Sequence, residues 1–172
     1  MIEINFIGLA ISMVLLLAFI TPIVLNVRKN NKIQKALLVQ LQNAAVNNGL
    51  NIQKMETWRN RYALALDTVA HKLIYINNGA NPKEVYIDLN EMDVASIHEK
   101  HHIVGSGKES YKVIDNLDLN ITGSYQQHYN LCFYDSDIFS DLQNEKPLLE
   151  EWHLQIQRVI QNKPERKTPV LA

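Results

Sequence analysis

The stretch Ala63-Leu-Ala-Leu-Asp-Thr-Val-Ala-His-Lys-Leu-Ile-Tyr-Ile76 decides the fold class. With Tyr62 in front of it, Leu64 and Leu66 alternate with Ala63 and Ala65, the period-two pattern of a strand with one face of large side chains. Asp67-Thr-Val-Ala reads as a turn, Leu73 to Ile76 as the return strand, and Asn77-Asn78-Gly79 as its end. The chain is therefore read from here as antiparallel β.

The alternation extends in both directions. Upstream, Ile52 opens a weak strand that runs towards Trp58. Downstream, Asn81-Pro82 continues the loop, and Val85, Ile87 and Leu89 alternate with Tyr86 and Asp88. Val94 to His102 is a more polar strand. Leu117, Leu119 and Ile121 alternate with polar neighbours, as do Tyr129, Leu131 and Phe133 beyond the break at Gly123-Ser124. A final helix starts near Lys146-Pro147 with Glu150 and Glu151 close to its positive end. Leu148, Leu149, Trp152, Ile156, Val159 and Ile160 give it one apolar face, and Lys163-Pro164 stops it. Trp152 on that face reads as core.

Before Leu50 the period is helical. Asn30 to Asn48 places Ile33, Ala36, Leu37, Leu41, Ala44 and Ala45 near one face, and Gly49 suits a C-terminal cap. Gln40 breaks the heptad pattern, which excludes a long coiled coil. Still earlier, Ile4 to Val27 has no charged side chain and would make a helix of roughly 36 Å, long enough to cross a hydrocarbon core of about 30 Å. A cleaved signal peptide would want a basic start, a shorter apolar run and small residues at its end, so a retained anchor is the better reading. Arg28, Lys29, Lys32 and Lys35 follow the span and no Lys or Arg precedes it. The positive-inside rule then puts the N-terminus outside and the rest in the cytoplasm. Pro22 predicts a mild kink, and Gly8 with Ser12 forms a small-xxx-small pair that can bring two helices together.

The expected organisation is a transmembrane helix over 4–27, a juxtamembrane amphipathic helix over 28–49, one domain over 50–162 and a mobile tail over 163–172. A chain of 172 residues with net charge −1 has no basic field to hold nucleic acid. Cys132 is the only cysteine, so no internal disulfide is possible, and its Leu-Cys-Phe setting reads as buried and apolar.

Candidate chemistry is sparse. His98, His101 and His102 have the composition of a metal site, but on a strand His98 and His102 share a face about 13 Å apart while His101 points away. Gly105-Ser-Gly-Lys-Glu-Ser is not a phosphate loop, because His102 stands where its first glycine is needed and Glu109 where Ser or Thr must hold magnesium. Asp67, His71 and Ser110 could be written as a triad, but nothing in the sequence joins them. Asp135 and Asp137 read as turn residues, and the Asn120-Ile-Thr sequon falls on a strand. The reading is a non-enzyme with no cofactor and no metal.

About seven short strands closed by one amphipathic helix resembles the pleckstrin-homology-like superfold, in which a strongly bent antiparallel sheet is plugged by a C-terminal helix. The run Ala63 to Ile76 looks like the hairpin of bacterial domains of this type, and Val85-Tyr-Ile-Asp-Leu-Asn-Glu-Met92 like the next strand and its loop. With its span and linking helix the chain is similar to small bacterial single-pass membrane proteins of the inner membrane. The resemblance implies an α+β fold over roughly Leu50 to Asn162 and a non-catalytic binding or adaptor module at the membrane face. Some members of the superfold bind phosphoinositide headgroups with bases around the first hairpin. Lys54, Arg59 and Arg61 echo that Lys…Arg-x-Arg arrangement with a shorter gap, and the competing reading is a solvated strand edge. The expected partners are the lipid bilayer and an unidentified protein bound at the sheet face or edge. The alternative is an accessory subunit of a larger membrane complex, homo- or hetero-oligomeric, assembled through Gly8 and Ser12.

Overall fold

The computed structural model describes residues 6–124 and 127–163. The expected start of the span at Ile4 and the tail beyond Lys163 lie outside the described residues. Helix α1 (Phe6–Asn47) comes first. Strands β1 (Lys54–Trp58), β2 (Tyr62–Asp67), β3 (Lys72–Asn77) and β4 (Lys83–Asp88) follow, then β5 (Met92–Val104), β6 (Tyr111–Gly123), β7 (His128–Asp135) and helix α2 (Glu145–Gln161).

The expected span and juxtamembrane helix are one helix. Arg28-Lys-Asn-Asn-Lys contains neither glycine nor proline, so nothing interrupts the hydrogen-bond ladder there, and the helix also runs on through Pro22. It stops at Gly49, whose φ of 65° is left-handed. The Leu50 amide donates to the Ala45 carbonyl (2.9 Å) and the Gly49 amide to Val46 (3.0 Å), which is a Schellman cap.

Strands β1 to β4 form a four-stranded antiparallel meander and β5 to β7 a separate three-stranded one. The expectation of a single bent seven-stranded sheet is thereby corrected to two sheets of four and three strands. The cause is local. Asp88 Oδ1 accepts from the Asn90 amide (3.0 Å) and caps a 3-10 turn over Leu89–Glu91, which turns the chain out of the first sheet before β5 begins. The end of β6 lies against this turn, where a Cβ on Gly123 would sit 2.4 Å from the Glu91 carbonyl oxygen.

β2 is buried along its whole length. Tyr62, Leu64 and Leu66 join Leu73, Tyr75, the second sheet and the apolar face of α2 in the main core, around Trp152. Ala63 and Ala65, with Ile74 and Ile76, face the other way and meet Leu37, Leu41, Ala44 and Ala45 of α1. The small face of the hairpin is thus the seat of α1, since two methyl groups let a helix approach the sheet closely. Of the apolar residues expected on that helix face, Ala36 is exposed instead. The layers run α1, four-stranded sheet, α2 with the three-stranded sheet.

β5 and β6 are longer than β7. Their pairing continues from Lys100 to Val104 and from Tyr111 to Ile114, whereas the pairing with β7 ends at Asn116↔Asp135. A two-stranded arm therefore extends beyond the three-stranded sheet.

Candidate functional site

The three bases expected around the first hairpin sit at one end of the four-stranded sheet and along β1. The β1–β2 turn is built by Arg59 and Asn60, both left-handed (φ 53° and 51°), closed by the Arg61 amide on the Trp58 carbonyl (3.2 Å). This turn folds the Arg59 side chain back to Glu145 at the start of α2 and to Asp141, over the Phe139 ring at 4.8 Å. The Arg59 side chain is only 10 % exposed. Burial works against its charge, but the hydrogen bonds and the charges of Glu145 and Asp141 outweigh it and hold the pKa above the ordinary arginine value. Lys54 pairs with Glu151 and lies 4.7 Å from the Trp152 ring centroid. Arg61 Nε donates to Asn77 Oδ1 (3.0 Å). Lys54 and Arg59 thus tie the first hairpin to α2, and Arg61 ties it to the β3–β4 turn.

The histidines engage separate carboxylates. His102 Nδ1 is 2.6 Å from Asp115, His101 Nδ1 is 3.9 Å from Glu99, and His98 stands opposite Asp118 in the β5–β6 register. Among the described residues no group of three or more His, Cys, Asp or Glu is arranged to hold a metal ion. Asp67 spends its carboxylate on the backbone, His71 contacts Asn90 Oδ1 (2.8 Å), and Ser110 lies in the β5–β6 loop, so these three form no triad. Cys132 is wedged between Tyr62 and Asp118, and burial pushes its thiol up to about 11, away from nucleophilic use. Asp135 accepts from the Asp137 amide (2.9 Å) in a turn, as its position in the sequence implies.

A concavity lies elsewhere, between α1 and the edge of the four-stranded sheet. β4 pairs with β3 alone. Val85 and Ile87 point into the core, so Glu84 and Tyr86 point towards α1. Two clefts of about 360 and 470 Å³ meet at Tyr86. The first is lined by Asn48, Leu50, Lys72 and Asp88. The second is lined by an α1 stripe that includes Ala36, Val39, Gln40, Asn43 and Asn47. Lys72 and Asp88 form an ion pair at one end, and burial is more than offset at Asp88 by Lys72 and the Asn90 amide, which hold its carboxyl below the usual range. At the other end Asn78 Nδ2 donates to Gln40 Oε1 (2.8 Å). The floor is aromatic, with Tyr86 43 % exposed and bonded to Glu84.

This groove offers an open strand edge, one exposed ring and amides and charges of both signs. An unpaired strand edge beside such a groove is the geometry at which an extended chain segment can add. Sequence reasoning missed it because Ala36, Val39 and Gln40 carry no signal until β4 is placed beside them. No family model, no curated protein and no solved structure matches this chain.

Proposed function

We propose that this chain is a single-pass membrane-anchored, non-catalytic binding module of the pleckstrin-homology-like type, with its globular domain in the cytoplasm. One observation carries the reading. Every large apolar residue of α1 from Leu9 to Val27 is exposed, whereas Leu37, Leu41, Ala44 and Ala45 of the same helix are buried against the sheet. A long apolar surface with no protein cover needs another solvent, and the helix is long and apolar enough to cross a bilayer. The bases from Arg28 to Lys35 favour the cytoplasmic side for the domain.

The strand order closed by a C-terminal helix supports the fold assignment, while the division into two sheets departs from a single bent one. The binding surface proposed is the α1–β4 groove, with an extended segment of a protein partner added to β4. Anchoring confines that groove to the membrane plane and raises its effective concentration for neighbours there. Lys54 and Arg59 serve this module as internal ties, and Arg61 stands beside the β3–β4 turn that ends the groove.

A photo-crosslinking residue at Tyr86 in the full chain, irradiated in native membranes, is expected to give discrete adducts that the same residue at Val69 does not give. Equal or absent adducts at Tyr86 would contradict the reading. The accessory-subunit reading draws on Ser12, whose hydroxyl donates to its own Leu9 carbonyl (2.9 Å) and so leaves Gly8 and Ser12 a small face without a spare donor. A large detergent-stable assembly lost in Gly8→Leu would favour that reading.

A further inference from the structure

The ends of the elements can be assigned to the span side or the far side of the domain. Gln40 meets Asn78 at the β3–β4 turn, whereas Asn48, eight residues later and just past the end of α1, lines a cleft with Lys72 and Asp88 at the other end of β3. α1 therefore runs from the β1–β2 and β3–β4 turns towards the β2–β3 turn, and the first two turns face the span. α2 runs the same way. It starts at Glu145 against Arg59 in the β1–β2 turn and ends with Val159 and Asn162 beside Leu66 and Thr68.

β5 runs opposite to α2. Lys163, after α2, donates to the Met92 carbonyl (2.6 Å) at the start of β5, and Lys146, at the start of α2, donates to Glu99 (3.0 Å). At Glu99 β5 has therefore reached the span side of the domain, yet it continues to Val104 before turning into β6. The β5–β6 arm projects towards the membrane.

Its reach fits. Five residues from Glu99 to Val104 extend about 17 Å. The helix from Gln40 back to Val27 is thirteen residues, about 20 Å. The headgroup layer adds about 5–8 Å outside the hydrocarbon. The tip of the arm thus ends at headgroup depth.

The tip also has the composition for that depth. Ile103 is 69 % exposed and Tyr111 61 % exposed. Ile103 stands opposite Lys112, and Val104 opposite Tyr111, on alternate faces. Apolar side chains on both faces suit a wedge immersed end-on, since a partner protein covering one face would leave the other in water. Tyrosine is a residue of the membrane interface. Among the described side chains, the charges nearest the tip are Lys112, paired with Glu99 and so drawn back along the arm, and Glu109 in the loop.

We infer that the tip of the β5–β6 hairpin, through Ile103, Val104 and Tyr111, inserts into the interface of the bilayer that α1 crosses, giving the domain a second point of attachment. This rests on the reading of α1 as a span. Two attachments fix the tilt of the domain, which one helix alone would leave free to swing about its axis, and so fix the direction in which the α1–β4 groove opens.

The test uses the full chain in a Cys132→Ala background, reconstituted in phosphatidylcholine–phosphatidylglycerol vesicles. A nitrobenzoxadiazole label is placed on Ile103→Cys, Tyr111→Cys, Leu16→Cys or Val69→Cys, with nitroxide lipids as quenchers. Labels at 103 and 111 are expected to be quenched several-fold more strongly than the label at 69, by a nitroxide near the headgroup, and the label at 16 by a deep nitroxide. If 103 and 111 behave like 69 while 16 is quenched, the insertion is wrong and the span stands. If 16 is not quenched either, both fall.

Discussion

At the scale of the residue, Asp67 has the most to lose. It is 2 % exposed, and its carboxylate accepts the amides of Asn51 (2.8 Å), Val69 (2.9 Å) and Ala70 (2.8 Å), joining the β2–β3 turn to the segment that leaves α1. Burial opposes its charge, but the three amides outweigh burial and hold its pKa below the ordinary carboxylate value. A carboxyl lowered in this way adds stability above the unfolded-state pKa near 4, and that stability is lost as the pH falls through the folded-state value. Asp67→Ala leaves three part-buried amides without their acceptor and is expected to cost about 1–3 kcal/mol at pH 7, read from urea midpoints. The gap between wild type and variant should narrow below about pH 4. Cys132 makes a second prediction. With its thiol at about 11 and its side chain wedged beside Tyr62, maleimide should modify it far more slowly at pH 8 in the native protein than in urea. Equal rates would place it at the surface.

At the scale of the element, the β2–β3 hairpin carries the fold by presenting two unlike faces. Leu41 is fully buried over Ala63 and Ala65, so Leu41→Ala is expected to cost about 2–5 kcal/mol through the cavity it leaves. Ala65→Leu should cost about 1–3 kcal/mol by overpacking the same seam. Amide exchange separates these from damage to the main core, because residues 33–47 should lose protection before β6 does. The sequence made these elements legible, since Tyr62, Leu64 and Leu66 show period two, and the α2 face shows period 3.6. Their partners were not legible. Ala63 and Ala65 look the same in a sequence whether they face water or a helix. The division of the sheet turns on the Asp88 cap of a three-residue 3-10 turn, which leaves no periodic trace. The α1–β4 groove was invisible for a related reason, because Val39 and Tyr86 meet only through the tertiary fold. The first-hairpin bases were visible as charges, but the carboxylate partners of Lys54 and Arg59 lie more than eighty residues away.

At the scale of the whole molecule, the central claim is that one helix is both anchor and core element. Along the 42 residues of α1, Leu9 to Val27 present bare apolar side chains, and the helix packs into the domain from Ile33 onward. Only Arg28 to Lys32 separate the two roles, about 8 Å of helix. A flexible linker would let the domain roam, whereas a continuous helix holds it at fixed height and transmits any tilt or rotation of the span to β2 and β3. The measurement that tests this most directly is amide hydrogen exchange across α1 in the full chain, held in a lipid nanodisc. The account predicts unbroken protection from the bilayer through residues 28–32 to Asn47. Rapid exchange over residues 28–36, between protected segments on either side, would contradict it.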